Sequence, residues 1–236
     1  MATPITATRA NVAGLIPAYF EEAHIRKVAE ETAQHLDLVM VVDDGSTDRT
    51  SEEAKAAGVE VVRHDKNAGK GASIKTGVKA LLERSAVEFI IILDADGQHL
   101  PEEIPRFLET ANRTSAPFVV GNRMDDVEKM PFVRKMTNRY MSWTISRVIG
   151  QRVPDSQCGF RLFQRSLGEE FLKTESSAFD FETEMLAIAA RKGCQIGAAP
   201  VSTVYGDEVS KINPIRDTLK FFKLLKRLKC EAKAKS

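Results

Sequence analysis

Apolar residues fall into two rhythms along this chain: short unbroken runs, and longer stretches with an apolar position every third or fourth residue. Residues 12–16 are the first run and predict a short strand ending at Pro17. Residues 21–35 carry Ile25, Val28, Ala29, Thr32 and Ala33 at helical spacing. Residues 38–42 predict a second buried strand. The helix after it, residues 49–57, has Ser46 or Asp48 as its cap. A third strand spans 59–62, and the loop Asn67-Ala68-Gly69-Lys70-Gly71 opens a helix over 72–84. The fourth run, Phe89-Ile90-Ile91-Ile92-Leu93, is bounded by charge and reads as a strand buried on both faces.

This alternation predicts an α/β fold with a parallel, doubly wound sheet. Ligands in such sheets sit at the carboxyl ends of the strands. Three of those ends are polar and turn-forming: Pro17-Ala18-Tyr19, Asp43-Asp44-Gly45 and Asp94-Ala95-Asp96. In an extended chain Asp94 and Asp96 project to one side. Two carboxylates there make a hard oxygen site for Mg²⁺ or Mn²⁺, with positions left for phosphate oxygens. The same residues also suit an Asx-rich turn that only ends a strand.

Past Pro101 the pattern predicts a helix to about Thr114, then a strand at 118–120 closing on Gly121-Asn122-Arg123. Residues 131–149 predict a longer helix that mixes Phe132, Val133, Met136, Tyr140 and Trp143 with Arg134, Lys135, Arg139 and Arg147. A basic amphipathic helix of this kind suits a membrane surface or a partner, although packing on the domain is commoner. Pro154-Asp155-Ser156-Gln157-Cys158-Gly159-Phe160-Arg161 leads into a short strand. A helix follows over about 181–192, opened by Asp180 and Glu182, and two short strands flank Pro200. The last predicted helix, 214–229, sets Ile215, Leu219, Phe222 and Leu225 among Lys220, Lys223, Lys226, Arg227 and Lys229.

The 236 residues, 43% of them hydrophobic, suffice for one substantial core. The expected division is one catalytic domain over 1–210 and a basic amphipathic helix and tail over 211–236. Net charge is +1, so no global field argues for nucleic acid. Residues 211–235 nevertheless hold nine Lys/Arg and two Asp/Glu, which suits a phosphate-bearing partner or simply a solvated helix. Cys158, Cys194 and Cys230 are scattered and odd in number, as in a reducing cytosol, and lack metal-site spacing. The N-terminus has no signal-peptide core, and no apolar run reaches the roughly 18 residues of a membrane span.

A dinucleotide fingerprint needs G-x-G-x-x-G after the first strand, where this chain has Ile16-Pro17-Ala18-Tyr19-Phe20-Glu21. A P-loop needs G-x-x-x-x-G-K-[ST]; here Gly69-Lys70 is followed by Gly71, and His64 stands where the first glycine belongs. A nucleotide held by acidic strand ends and a metal survives. The ordered set Ile16-Pro17-Ala18-Tyr19, Val42-Asp43-Asp44-Gly45-Ser46-Thr47-Asp48, Asn67-Ala68-Gly69-Lys70-Gly71 and Asp94-Ala95-Asp96-Gly97-Gln98 resembles family 2 glycosyltransferases of the GT-A fold. Dolichyl- or polyprenyl-phosphate sugar synthases are the nearest pattern. Gly121-Asn122-Arg123, Cys158-Gly159-Phe160-Arg161 and Ser210-Lys211 extend the resemblance, which runs from about Leu15 to Leu225. One departure is Phe20, at a position where the family usually has Asn.

The resemblance implies a UDP- or GDP-linked sugar as donor. Pro17, Ala18, Tyr19 and Glu21 would line its base and ribose. Asp44 would meet the base, Asp43 being the more structural of the two. Lys70 opens a helix where amides and charge suit a nucleotide, or is a solvated lysine. Asp94, with Ala95, would face the ribose or the metal; Asp96 and Gln98 would hold the metal with it. Arg123 would take a phosphate oxygen. His99 reads as a surface imidazole near the site, and His24, His35 and His64 have no visible partners.

The reaction implied is an inverting displacement at the anomeric carbon, with Asp96, Arg123, Asp155 and Lys211 as the catalytic set. Asp155 and Asp180 are the candidate bases should the acceptor be a hydroxyl; each also suits a structural role, in a turn and as a helix cap. With a lipid phosphate as acceptor, Arg134, Arg139 and Lys211 would hold that phosphate, on the cytoplasmic side and peripheral to the membrane. A hydroxyl acceptor on a glycan stays open, as does a scaffold that binds nucleotide or membrane without chemistry. A sugar-nucleotide pyrophosphorylase would need a Gly-rich, Arg-bearing N-terminal loop, which this chain lacks.

Overall fold

The computed structural model describes residues 6–125, 130, 132–174 and 181–202. Within them seven strands form one sheet: β1 (Val12–Ala18), β2 (Leu38–Asp43), β3 (Glu60–Arg63), β4 (Phe89–Ile92), β5 (Phe118–Asn122), β6 (Arg161–Gln164) and β7 (Ile196–Pro200). Their spatial order is β3-β2-β1-β4-β6-β5-β7. Six strands run in one direction, and β6 opposes both its neighbours.

Strand residues alternate between two cores. Ile16, Val41, Ile91 and Val119 face α1 (Ile25–His35), α2 (Thr50–Ala56) and α4 (Ile104–Thr114). Leu15, Met40, Ile90 and Phe118 face α3 (Lys70–Leu82), α6 (Arg165–Phe171) and α7 (Phe181–Arg191), joined by Ile145 of α5 (Phe132–Ile149). Burial on both faces is why the strands read as continuous apolar runs.

The mostly parallel α/β sheet agrees with the sequence expectation, and the reversed β6 is the addition. Arg161, its first residue, pairs with Ile92 at the end of β4 and with Val120 near the end of β5. The loop before it, residues 153–160, is thereby delivered to the carboxyl ends of the other strands. α6 had no clear sequence signal, because Leu167 and Phe171 alone supply its large buried residues and Gly168 interrupts it. The expected strand after Pro200, Asp180, Lys211 and the basic C-terminal helix lie outside the described residues.

Candidate active site

Sequence order along the sheet reverses between β1 and β4, which places a crevice at their carboxyl ends. Its first wall is the loop after β1. Pro17 and Ala18 are buried, whereas Tyr19 and Phe20 are exposed with ring centroids 4.5 Å apart. The Phe20 amide donates to Ser46 Oγ (3.0 Å) and the Glu21 amide to Thr50 Oγ1 (2.9 Å). Ser46 thus ties two loops together, and Asp48, not Ser46, accepts from the Thr50 amide at the head of α2 (3.1 Å).

Both second-strand carboxylates are buried and engaged. Asp43 accepts from the Ser46 amide (2.9 Å) and the Ser51 hydroxyl. Asp44 Oδ1 accepts the Ala68 amide (2.9 Å), and Oδ2 the Gly69 amide (2.7 Å). His64 Nδ1 lies 2.7 Å from Asp44 Oδ1, and its Nε2 lies 2.9 Å from Thr76 Oγ1. A carboxylate only accepts, so the imidazole donates through Nδ1 and accepts from the Thr76 hydroxyl. Asp44 therefore pins the loop that leads into Lys70, and His64 has the partner its sequence context did not reveal. Gly45 permits this packing: its φ is 76°, and a Cβ there would sit 2.7 Å from the Lys66 backbone.

The floor is the turn after β4. Asp94 and Asp96 lie just beyond the last strand residue, at the turn-forming strand end that the sequence predicts. Lys70 Nζ is 2.5 Å from Asp94 Oδ1 and 3.2 Å from Glu182 Oε1. Burial opposes ionisation of Asp94, but the charge of Lys70 above all, with that of Arg123, outweighs it and holds its pKa down at about 2. Burial likewise disfavours the Lys70 ammonium, and Asp94 and Glu182 more than compensate, raising it above the usual lysine range. Asp96 is pushed up by burial and by the Asp94 charge, while its Oδ1 accepts the Gln98 amide (2.9 Å).

His99 is buried, which corrects the expectation of a surface imidazole. It stacks on Phe160 (5.2 Å) and accepts the Asp94 amide at Nδ1 (3.1 Å). Burial lowers its pKa, so the neutral ring carries its proton on Nε2, toward Cys158 Sγ at 3.9 Å. Gly159 lies directly against Asp94, where a Cβ would come within 2.8 Å of Oδ2.

Among the described residues no three His, Cys, Asp or Glu side chains cluster tightly enough to hold an ion alone. Two carboxylates and Gln98 on one turn fit Mg²⁺ or Mn²⁺, ions that take their remaining oxygens from water and substrate phosphates.

Arg123, after β5, forms the far wall with Asp155. Its Nε donates to Asp155 Oδ2 (2.6 Å) and its Nη2 to Oδ1 (3.0 Å). Asp155 also accepts the Arg123 and Gln157 amides, and is completely buried. It is thus presented as an anchor for a guanidinium, with its oxygens already occupied. Arg161 is buried too, its guanidinium donating to the carbonyls of Cys158 (2.8 Å), Ser156 (2.9 Å) and Glu182. It fastens the 155–160 loop to the start of α7.

α5 packs inward through Ile145, with Met141, Val148 and Ile149 beside it and two polar residues among them. Asn138 and Ser142 are buried, and Ser142 Oγ accepts the Ser156 amide (2.8 Å), next to Asp155. Phe132, Val133, Met136, Tyr140 and Trp143 point outward, Trp143 being 56% exposed. Arg134 is half-buried and Arg139 exposed on the same helix. No described helix is long and apolar enough to cross a membrane.

The sequence profile of glycosyl transferase family 2 matches residues 15–172, about two thirds of the chain. The chain belongs to this family. It is a nucleotide-sugar glycosyltransferase, and the crevice is its candidate active site. A UDP-N-acetylglucosamine–dolichyl-phosphate N-acetylglucosaminyltransferase of Methanococcus voltae is 33% identical over 214 residues, covering 81% of this chain and 84% of that one. An undecaprenyl-phosphate 4-deoxy-4-formamido-L-arabinose transferase of Pseudomonas aeruginosa is 33% identical over 219 residues, covering 87% of this chain and 61% of the longer relative. The fold matches glucosyl-3-phosphoglycerate synthase of Mycobacterium tuberculosis with a TM-score of 0.69 at 18% identity, over 85% of this chain and 73% of that one. That synthase has also been crystallised with Mn²⁺, UDP and glucosyl-3-phosphoglycerate.

Of the residues singled out in the sequence, Lys70, Asp94, Asp96, Gln98, Arg123 and Asp155 meet at this crevice. Ala95 is buried beneath the turn. Glu182 and His64 join it through contacts that no local motif announces, and Arg161, the end of the Cys158-Gly159-Phe160-Arg161 motif, joins it as a structural clamp.

Proposed function

We propose that this glycosyltransferase loads a polyprenyl phosphate at a membrane surface, by inverting, metal-dependent transfer from a nucleotide sugar. The observation that carries the reading is the row of exposed apolar side chains along α5, Phe132, Val133, Met136, Tyr140 and Trp143. Its inner side packs Ile145 into the core and braces the loop of Asp155 through Ser142, while that exposed row, with basic residues interspersed, stays outside. A helix of this kind inserts its apolar face at the headgroup boundary while its cations attract anionic lipid. The Methanococcus and Pseudomonas relatives, named for dolichyl and undecaprenyl phosphate, support the same acceptor class.

In this reading Tyr19, Glu21 and the loop anchored by Asp44 hold the nucleoside. Asp94, Asp96 and Gln98 would hold a divalent ion, which would supply positive charge to the diphosphate leaving group. Lys70 supplies a second positive charge beside Asp94. Arg123 is held by Asp155 so that its charge is fixed next to reacting phosphate groups. One acceptor phosphate oxygen forms the new bond to the anomeric carbon as the bond to the diphosphate breaks. That oxygen is already anionic, so no general base is required, which suits an Asp155 saturated by hydrogen bonds. Arg134 and Arg139 lie on the membrane-facing helix for the acceptor phosphate, and Lys211, with the basic 211–236 segment beyond the 1–210 domain, adds further cations on the cytoplasmic face.

Vesicle co-sedimentation tests the placement. Wild type should pellet with anionic vesicles, and replacing Phe132 and Trp143 by Ser should release it without lowering nucleotide affinity. A wild type that ignores anionic vesicles contradicts the membrane reading.

A further inference from the structure

One ammonium group in the crevice answers to two carboxylates. Lys70 Nζ lies 2.5 Å from Asp94 Oδ1 and 3.2 Å from Glu182 Oε1. The two contacts differ in kind. Glu182 Oε1 accepts a hydrogen bond from Nζ. Asp94 Oδ1 is buried and, among the described residues, takes no well-directed hydrogen bond, so the ammonium meets it as a point charge. A carboxylate oxygen presented in this way suits a small cation, and Asp94 is among the groups assigned to the divalent ion. Lys70 and that ion therefore claim the same oxygen.

The backbone on both sides of the ammonium is fixed, and its stem is not. Asp44 holds the Ala68 and Gly69 amides just before Lys70, at 2.9 and 2.7 Å. Glu182 stands in the first turn of α7, where the Arg161 guanidinium donates to its carbonyl. Between these anchors the lysine side chain is long, flexible and partly exposed. Burial disfavours its charge, and Asp94 and Glu182 together maintain it. A doubly charged ion at Asp94 would repel the ammonium, while Glu182 offers a second counter-charge within its reach.

We propose that Lys70 and the divalent ion exchange at Asp94, with Glu182 as the residue that receives the displaced ammonium. The inference rests on the metal-dependent reading given above. Glu182 is then a positioning residue for Lys70, and the buried Asp94 carboxylate always has a positive partner. The ion binds weakly by itself, because the ammonium has to be displaced. It binds tightly once diphosphate oxygens complete its shell, so that metal and donor reinforce each other.

The test is Mn²⁺ titration of the full chain without nucleotide, read from the electron paramagnetic resonance signal of free Mn²⁺. It is repeated with UDP and with GDP against protein-free blanks. Lys70→Met should bind Mn²⁺ alone roughly tenfold more tightly than wild type. It should melt below wild type in chelator and recover on addition of Mn²⁺, because the ion replaces the missing partner of Asp94. Lys70→Arg keeps a cation at Asp94 and should bind Mn²⁺ as weakly as wild type. Glu182→Gln should weaken Mn²⁺ binding severalfold in the wild-type background and far less in Lys70→Met, where no ammonium has to be received. Equal Mn²⁺ affinity in wild type and Lys70→Met overturns the exchange, and Mn²⁺ binding with nucleotide would still leave the metal site standing. Equal weakening by Glu182→Gln in both backgrounds also overturns it, by reducing Lys70 to a fixed charge. A wild type that binds Mn²⁺ neither alone nor with either nucleotide overturns both readings.

Discussion

Arg123 and Asp155 meet fork to fork, two guanidinium nitrogens on two carboxylate oxygens at 2.6 and 3.0 Å, and both side chains are buried. A buried pair of this geometry is costly to break from one side, because the surviving charge is left uncompensated. Asp155→Asn should lower stability by about 3–5 kcal/mol. That corresponds to a fall in Tm of roughly 10 °C for a domain of this size. It should also cut turnover at temperatures where the variant stays folded, because Arg123 loses its fixed direction. Thermal melts with steady-state kinetics check this, and a variant with wild-type Tm and turnover would remove Asp155 from the account.

Gly159 should be intolerant of a side chain for a local reason. A methyl group there would approach Asp94 Oδ2 to 2.8 Å, and Asp94 is already held by Lys70. Gly159→Ala is expected to displace the carboxylate and weaken Mn²⁺-dependent nucleotide binding at least tenfold, the equivalent of about 1.4 kcal/mol. Calorimetry on the folded variant gives the answer; undiminished affinity would mean that Asp94 moves without consequence.

Asp44 separates two roles by mutation. Asp44→Ala frees the Ala68 and Gly69 amides and the His64 ring, so the loop before Lys70 should loosen and nucleotide affinity fall. His64→Ala removes one of those partners and should reproduce part of the loss, whereas a direct contact between Asp44 and the base would leave His64→Ala silent. Hydrogen exchange over residues 64–70, measured with nucleotide titrations, distinguishes the two.

The β4 turn should respond to acid in two stages. Asp96 is raised by burial and by Asp94, so it protonates first as pH falls, and Mn²⁺ affinity should decline with it. Asp94 is depressed to about 2. Its contribution to stability is therefore complete above its unfolded value and is lost only as pH drops from there toward 2. Mn²⁺ titrations and circular dichroism along one pH series should show metal binding failing before the fold. Coincident loss would contradict the separate roles.

Much of this architecture is legible in the sequence because buried parallel strands leave plain signals. The runs at Leu15, Val41 and Ile91 have no polar alternation, and each ends in turn-forming residues that line the crevice. What escapes is long-range. Glu182 meets Lys70 from 112 positions away, and His64 meets Asp44 across 20. His99 looks like a surface residue until Phe160 and Cys158 enclose it. The direction of β6 depends on where the 153–160 loop emerges. α5 carries apolar residues on both its buried and its exposed side, so its pattern does not tell that Ser142 turns inward, where its hydroxyl accepts the Ser156 amide.

The most direct measurement is sugar transfer itself. Purified enzyme would be incubated with Mn²⁺ and a panel of UDP- and GDP-sugars, with either a polyprenyl phosphate in anionic vesicles or soluble glycosides as acceptor. The account predicts a polyprenyl-linked sugar phosphate as product, loss of product on metal chelation, and strong loss in Arg123→Ala. Transfer to a soluble hydroxyl acceptor, with none to polyprenyl phosphate from any donor, would contradict it.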